Sequence, residues 1–191
     1  MSNSDDIVIV SGLPRSGTSM MMQMIEAGGI SALTDSVRTA DADNPRGYFE
    51  FELVKKIQQD SSWLEQARGK VVKMVHLLLL NLPAGYQYRI VLMVRDHRQV
   101  LASQAAMLKR QGKIGANLAP EALAKVFDQQ LQRVVHSVTQ QKNCTVLQVH
   151  YAHVIMNPRE QAGRINNFLG GNLALNAMAN AVDPTLYRQR Q

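Results

Sequence analysis

Residues 7–19 read IVIVSGLPRSGTS: four β-branched residues, a stretch bounded by Gly12 and Gly17, then Thr18-Ser19 leading into MMMQMIEA. A short apolar run that ends in a glycine-bearing turn has the pattern of a strand buried on both faces, here residues 7–11. The helical stretch that follows stops at Gly28-Gly29, where glycine caps a helix end at low steric cost. Strand, glycine-bearing loop and helix, in that order, bring several backbone N–H groups to one point. The glycines let the chain curl, and the helix start near Ser16 adds its positive dipole end. The feature selects an α/β chain with an anion, most simply a phosphate, at the loop.

Gly12 and Gly17 stand five apart, as in the Walker A loop GxxxxGK[ST]. Thr18 occupies the place of the Walker lysine, and Arg15 is the cation inside the loop. Ser19 stands where the magnesium-binding hydroxyl would be, without its partner lysine, so a magnesium-dependent nucleotide hydrolase is disfavoured. The bland alternative is a strand–helix turn that binds nothing. Thr18 and Ser19 hydroxyls beside Arg15 and Ser16 argue against it.

The rest of the chain alternates in the same manner. KVVKMV (70–75), RIVLMV (89–94) and TVLQVH (145–150) read as further buried strands. Helices are expected over about 50–67, ending near Gly69, over 97–111, from Pro120 to about Gln141, and from Pro158 to Phe168-Leu169. Residues 31–49 carry turn formers and are expected to be mostly loop, and the leucines of HLLLLNLPAGY are expected to pack. The expected fold is α/β, a three-layer P-loop fold with a central, mostly parallel sheet of about four to five strands flanked by helices. One domain over 1–191 is expected, with 1–6 and 184–191 as loose ends.

Composition narrows the class further. The net charge is +6, but Lys55-Lys56, Lys109-Arg110 and Arg188 with Arg190 are scattered, so nucleic acid is not an expected partner. Cys144 is the single cysteine, which suits a reducing cytoplasm and offers no metal cluster. No run is long enough to span a bilayer, and MSNSDD does not resemble a secretory leader.

Arg95 directly follows the third strand, at the edge where open α/β sheets bind ligands, and Ser103 stands eight residues later on the next helix. A guanidinium offers a planar fork suited to phosphate. An arginine after a strand also serves commonly as a surface ion-pair partner, and Arg98 shares that reading.

GLPRSGTS resembles the 5′-phosphosulfate loop of the sulfotransferases. IVLMVRDHRQVLASQ resembles their 3′-phosphate motif, and VHYAHVIMNPREQAGRINNFLG (149–170) resembles the family pattern V-x-Y-E-D-L-x-x-x-P ending in FLG. The three matches are ordered and cover most of the chain. The resemblance implies a sulfuryl transfer from 3′-phosphoadenosine 5′-phosphosulfate (PAPS) to a hydroxyl or amine, leaving 3′-phosphoadenosine 5′-phosphate (PAP), with no metal. It implies that Pro14, Arg15, Ser16, Gly17, Thr18 and Ser19 cradle the 5′-phosphosulfate, that Arg95 and Ser103 hold the 3′-phosphate, and that Tyr151 approaches the adenine. The chain departs from the pattern at His97 for proline, at Ala152-His153 for Glu-Asp, and in lacking an RKGxxGDWKNxF segment. It therefore resembles a bacterial, minimal relative.

The same resemblance places Lys73 at the bridging oxygen of the donor and Arg15 among the cations that stabilise transferred charge. Two residues stand as candidates for the base. His76 follows Lys73 by three positions where cytosolic relatives have a histidine two positions on, and one extra residue on a strand turns the side chain to the other face. Glu50, in NPRGYFEFE, belongs to a segment resembling NPxGYxE of bacterial relatives and is preferred. The acceptor is a small molecule or a glycan. Two other readings stay open: a P-loop kinase or hydrolase with Asp96 serving magnesium, and a non-catalytic nucleotide-binding module.

Overall fold

The computed structural model describes residues 5–35, 47–113, 115 and 118–186. Four strands, β1 (Ile7–Gly12), β2 (Val71–Val75), β3 (Tyr88–Val94) and β4 (Cys144–His150), form one sheet in the order β2-β1-β3-β4. Every pairing is parallel. Parallel strands need long crossovers, and helices supply them. α1 (Thr18–Ala27) and the single-turn α2 (Leu64–Ala67) lie between β1 and β2, α3 (His97–Arg110) and α4 (Pro120–Thr139) lie between β3 and β4, and α5 (Tyr151–Met156), α6 (Pro158–Leu169) and α7 (Leu175–Asn180) follow β4.

The period-2 alternation of β1 divides the core. Ile7 and Ile9 join Trp63, Leu64, Tyr88, Val134 and Val138 on the face covered by α2 and α4. Val8 and Val10 join Met21, Met22, Met24, Ile25, Ile165 and Met178 on the face covered by α1, α6 and α7. Burying one such side chain contributes about 1.5–3 kcal/mol, so both faces of β1 hold the sheet between two helical layers. The methionines of α1 fill that second core, as flexible unbranched side chains do.

The register decides where the chemistry gathers. Gly12 pairs with both Val75 and Met93, and Met93 pairs with Val149. The strands therefore end level, and the loop after β1, His76, Arg95 and Tyr151 emerge along one carboxyl edge.

The helix expected over about 50–67 does not form as one element. A 3₁₀ turn covers Glu52–Lys56, and α2 covers only Leu64–Ala67. Asp60 breaks the run: its carboxylate accepts the Ser62 N–H at 2.8 Å, a local bond that competes with a helix. Upstream, Asp35 Oδ2 accepts the Glu52 N–H at 2.6 Å and fixes the entry to the 3₁₀ turn. The leucine-rich stretch after β2 is a second 3₁₀ segment, His76–Asn81, with Leu79 fully buried. Of the expected loop at 31–49, residues 36–46 lie outside the described residues, as do the ends 1–4 and 187–191. No helix among the described residues is long and apolar enough to cross a membrane.

Candidate active site

The loop Leu13–Gly17 joins β1 to α1 through a backbone that needs its glycines. Gly17 is the residue before α1 and takes φ 98°, and Arg15 takes φ 72°. A Cβ on Gly12 would stand 2.5 Å from Ser16 Oγ and 2.7 Å from the Met93 carbonyl, so glycine alone fits there. A Cβ on Gly17 would collide with the Tyr151 ring. The first amides of α1 have no acceptor within the helix and point out of its start, as helix N-termini require. Ser16 Oγ is buried without a hydrogen-bond partner. Ser16 is 1% exposed and sits behind the cavity wall rather than in it, but an unpartnered hydroxyl next to helix-start amides is a donor set that fits a phosphate or phosphosulfate oxygen.

A cavity of about 470 Å³ opens over this loop. Its wall includes Pro14, Arg15, Gly17, Thr18, Ser19, Glu50, Lys73, Arg95, Ser103 and Tyr151. Lys73 lies in the middle of β2 rather than at its end. Its ammonium donates to the Tyr48 carbonyl, lies 3.5 Å from Ser19 Oγ, and sits 5.9 Å from the centre of the Tyr48 ring. Glu50 is anchored through its backbone: its carbonyl accepts the Thr34 hydroxyl at 2.9 Å and the Asp35 N–H at 3.2 Å.

Beside the loop, Arg95 lies over Tyr151, 4.3 Å from ring centre to guanidinium carbon. Its Nη1 donates to the Arg15 carbonyl at 3.0 Å and its Nε to Gln99 Oε1 at 3.2 Å. Arg15 Nε in turn donates to the buried Ser103 hydroxyl at 3.0 Å. Asp96 caps α3 by accepting the Gln99 N–H at 3.1 Å. That task ties its carboxylate to the helix start and speaks against the magnesium-holding role of a kinase.

His76 is placed differently from the other candidates and does not belong to the cavity wall. Lys73 and Val75 share one face of β2, and His76 opens the 3₁₀ segment after the strand and turns toward α4. Its Nε2 lies 3.1 Å from Gln130 Oε1 on α4. Burial pushes its pKa below the usual histidine value, against smaller upward effects of Gln130 and the Gly12 carbonyl. At the opposite edge of the sheet the His150 and His153 rings meet at a tilt, 5.1 Å between centres, beside a second crevice that also reaches Arg95.

Several lining residues were not singled out in the sequence. Tyr48 and Phe51 reach the cavity from the segment ahead of the first 3₁₀ turn, and Val54 and Leu78 from the two 3₁₀ turns. Met107 and Arg110 follow Ser103 at helical spacing on α3, so a face argument could have found them once Ser103 was placed.

The match to known proteins follows the same geometry. The family model described as a sulfotransferase domain matches residues 5–189. The chain belongs to the sulfotransferase domain family. Its fold is similar to that of mouse sulfotransferase SULT7A1 complexed with PAP, at 21% identity and a TM-score of 0.59, covering 94% of this chain and 63% of that one. It is also similar to the sulfotransferase domain from the curacin biosynthetic pathway, at 12% identity, TM-score 0.54, 96% of this chain and 89% of that one. A sulfotransferase from Alicyclobacillus acidocaldarius gives 15% identity, TM-score 0.53, 95% of this chain and 87% of that one. The chain thus spans under two thirds of the length of the mouse protein. No curated protein sequence matches it.

Proposed function

We propose that this protein transfers a sulfuryl group from PAPS to a hydroxyl or amine. One observation carries the reading: a single cavity is lined both by an anion-binding loop and by the Arg95–Ser103 pair beside it. A nucleotide with phosphate at both 5′ and 3′ positions matches two such grips. PAP in the mouse neighbour supports the same choice of ligand.

The residues present fit the donor. Ser16 Oγ, the α1 amides and the Thr18 and Ser19 hydroxyls would hold the 5′-phosphosulfate; Arg95 and Ser103 would hold the 3′-phosphate, and Tyr151 would flank the adenosine. The donor supplies the activated sulfuryl group, and the protein supplies orientation and charge. Glu50 takes the proton of the acceptor as the acceptor atom attacks sulfur, and the bond from sulfur to the 5′-phosphate oxygen breaks. Lys73 stabilises the charge that builds on that departing oxygen. The Lys73 ammonium lies 3.5 Å from Ser19 Oγ at the start of α1, which supports this role over a solvent-facing one.

Phe51, Val54, Val75 and Leu78 give the cavity an apolar part to its lining. It favours a small-molecule acceptor with an apolar body over a glycan. The single Cys144 supports a reducing compartment such as the cytoplasm.

Label transfer from radioactive PAPS in excess EDTA, across a panel of phenols, aliphatic alcohols, amines and oligosaccharides, tests the reading. Transfer to any of them is the expected result. Tight PAP binding with no transfer to the panel would leave a nucleotide-binding module, and failure to bind PAP would remove both.

A further inference from the structure

Past the nucleotide grips, one face of α3 continues along the cavity. Ser103, Met107 and Arg110 all line it, at spacings of four and three residues, so the helix presents them in one row. Arg110 stands about 10 Å along the helix from Ser103. It belongs to the last turn of α3, where cations commonly complement the helix dipole. Lys109 shares that turn without lining the cavity. Nor does the helix end need a side-chain cap. The Met107, Leu108 and Lys109 carbonyls accept the Gln111, Lys113 and Gly112 amides at 3.0, 2.9 and 3.3 Å. Dipole and cap therefore leave the cavity position of Arg110 unexplained.

A second cation comes from another wall. Lys55, in the 3₁₀ turn that also supplies Val54, lines the cavity. Gln58 Nε2 donates to Asn81 Oδ1 at 2.9 Å, which ties this turn to the one that carries Leu78. Lys55 and Arg110 are both exposed, which puts them at the mouth. Lys55 pairs with Glu52 at 2.6 Å, with side chains 62% and 45% exposed, and a pair so screened by solvent can yield to an incoming anion. Arg15, Lys73 and Arg95 serve the donor in the reading above; Lys55 and Arg110 have no part in it.

We propose that the acceptor is an apolar molecule ending in a carboxylate, and that Arg110, assisted by Lys55, selects it by binding that carboxylate away from the reacting hydroxyl or amine. This rests on the sulfuryl-transfer reading above. Phe51, Val54, Leu78 and Met107 take the apolar body. A guanidinium matches a carboxylate with two parallel N–H donors, whereas an ammonium is a point charge, so Arg110 carries the larger share. Glu50 repels a carboxylate, and the two charges together orient the acceptor with its anion at Arg110 and its nucleophile at Glu50.

Label transfer from saturating PAPS in EDTA compares two matched pairs: ω-hydroxydecanoate with its methyl ester, and ω-(para-hydroxyphenyl)pentanoate with its methyl ester. In at least one pair the carboxylate should show kcat/KM about 10- to 100-fold above the ester, the range for hydrogen bonds to charged groups, with the advantage in KM. Arg110→Gln should bring that ratio to within about threefold of one by raising KM for the carboxylate. Arg110→Lys, a charge without the fork, should keep part of the preference, and Arg110→Glu should reverse it. Lys55→Gln should lower the ratio less than Arg110→Gln does. Esters used as readily as carboxylates by the wild type would overturn the proposal, as would an Arg110→Gln that slows both members of a pair equally. A loss of PAP affinity in Arg110→Gln that matches its loss of carboxylate turnover would move Arg110 to the nucleotide and overturn it too. Transfer to other acceptors but to none of these four would overturn it while leaving sulfuryl transfer in place. Should PAP bind with no transfer to any acceptor, calorimetric titration of each pair into the PAP complex decides by the same ratio. Failure to bind PAP removes the sulfuryl-transfer reading itself.

Discussion

Gly17 carries two constraints at once: φ at 98°, and no room for a Cβ, which would stand 2.4 Å from the Tyr151 ring. Gly17→Ala is therefore expected to lose about 2–4 kcal/mol in urea unfolding, from positive-φ strain plus overpacking, and to lose PAP-induced stabilisation. Glu50 and His76 are separated by a second substitution pair. With Glu50 as base, Glu50→Gln should lower kcat about 100-fold or more, whereas His76→Gln should leave kcat within about threefold under saturating donor at pH 8. The reverse order would make His76 the base. The loop, Arg95 and Ser103 were legible in the sequence because their spacing is local: five residues within a turn, eight along one helix. The placement of His76 was legible only in part, since it opens a 3₁₀ segment where strand parity no longer gives a face. Phe51 and Leu78 were not, because nothing local says which apolar side chain lines a cavity and which fills a core.

At the level of elements, α2 and the turns around it depend on Trp63. The indole is 1% exposed, belongs to the core face with Ile7 and Ile9, and meets Phe51 edge-on at 5.7 Å. Trp63→Ala should cost about 3–5 kcal/mol, read as a shift of the urea midpoint with an unchanged slope. The hydrophobic pattern of 50–67 suggested one helix, and Asp60-Ser61-Ser62 decided otherwise, since short polar side chains bonded to nearby amides favour turns over helix interior. Helices α5 and α7 escaped the sequence reading because six residues are too few to show a period. The strands were read closely, as uninterrupted apolar runs between turn signals; β4 (Cys144–His150) differs from the expected 145–150 by one residue.

Strand identity does not contain strand order, so the arrangement β2-β1-β3-β4 was open until the pairings were known. That order puts β1 in the interior of the sheet with β3 beside it, and the two anion grips follow those two neighbouring strands. The buried His76 gives the whole fold an acid sensitivity. Its folded pKa lies below 6.5 because burial penalises the imidazolium, so the unfolded chain binds the proton more readily. The stability it permits is fully present above pH 6.5 and declines as the pH falls through the window below that value. His76→Gln should flatten this part of the stability–pH curve, measured by urea midpoints between pH 5 and 8; an unchanged slope would contradict the assignment. Burial likewise raises the Cys144 thiol to about pKa 11, so it should react with thiol reagents at pH 8 only as the fold opens.

The central claim is that one cavity grips both ends of a 3′,5′-phosphorylated nucleotide without a magnesium-holding lysine loop. Thermal unfolding in EDTA with PAP, set beside ATP with magnesium, tests it most directly. At 100 times its dissociation constant PAP should add about 2.7 kcal/mol of stability, a rise of several degrees in midpoint, while ATP with magnesium adds much less. A larger shift with ATP and magnesium than with PAP would contradict the account.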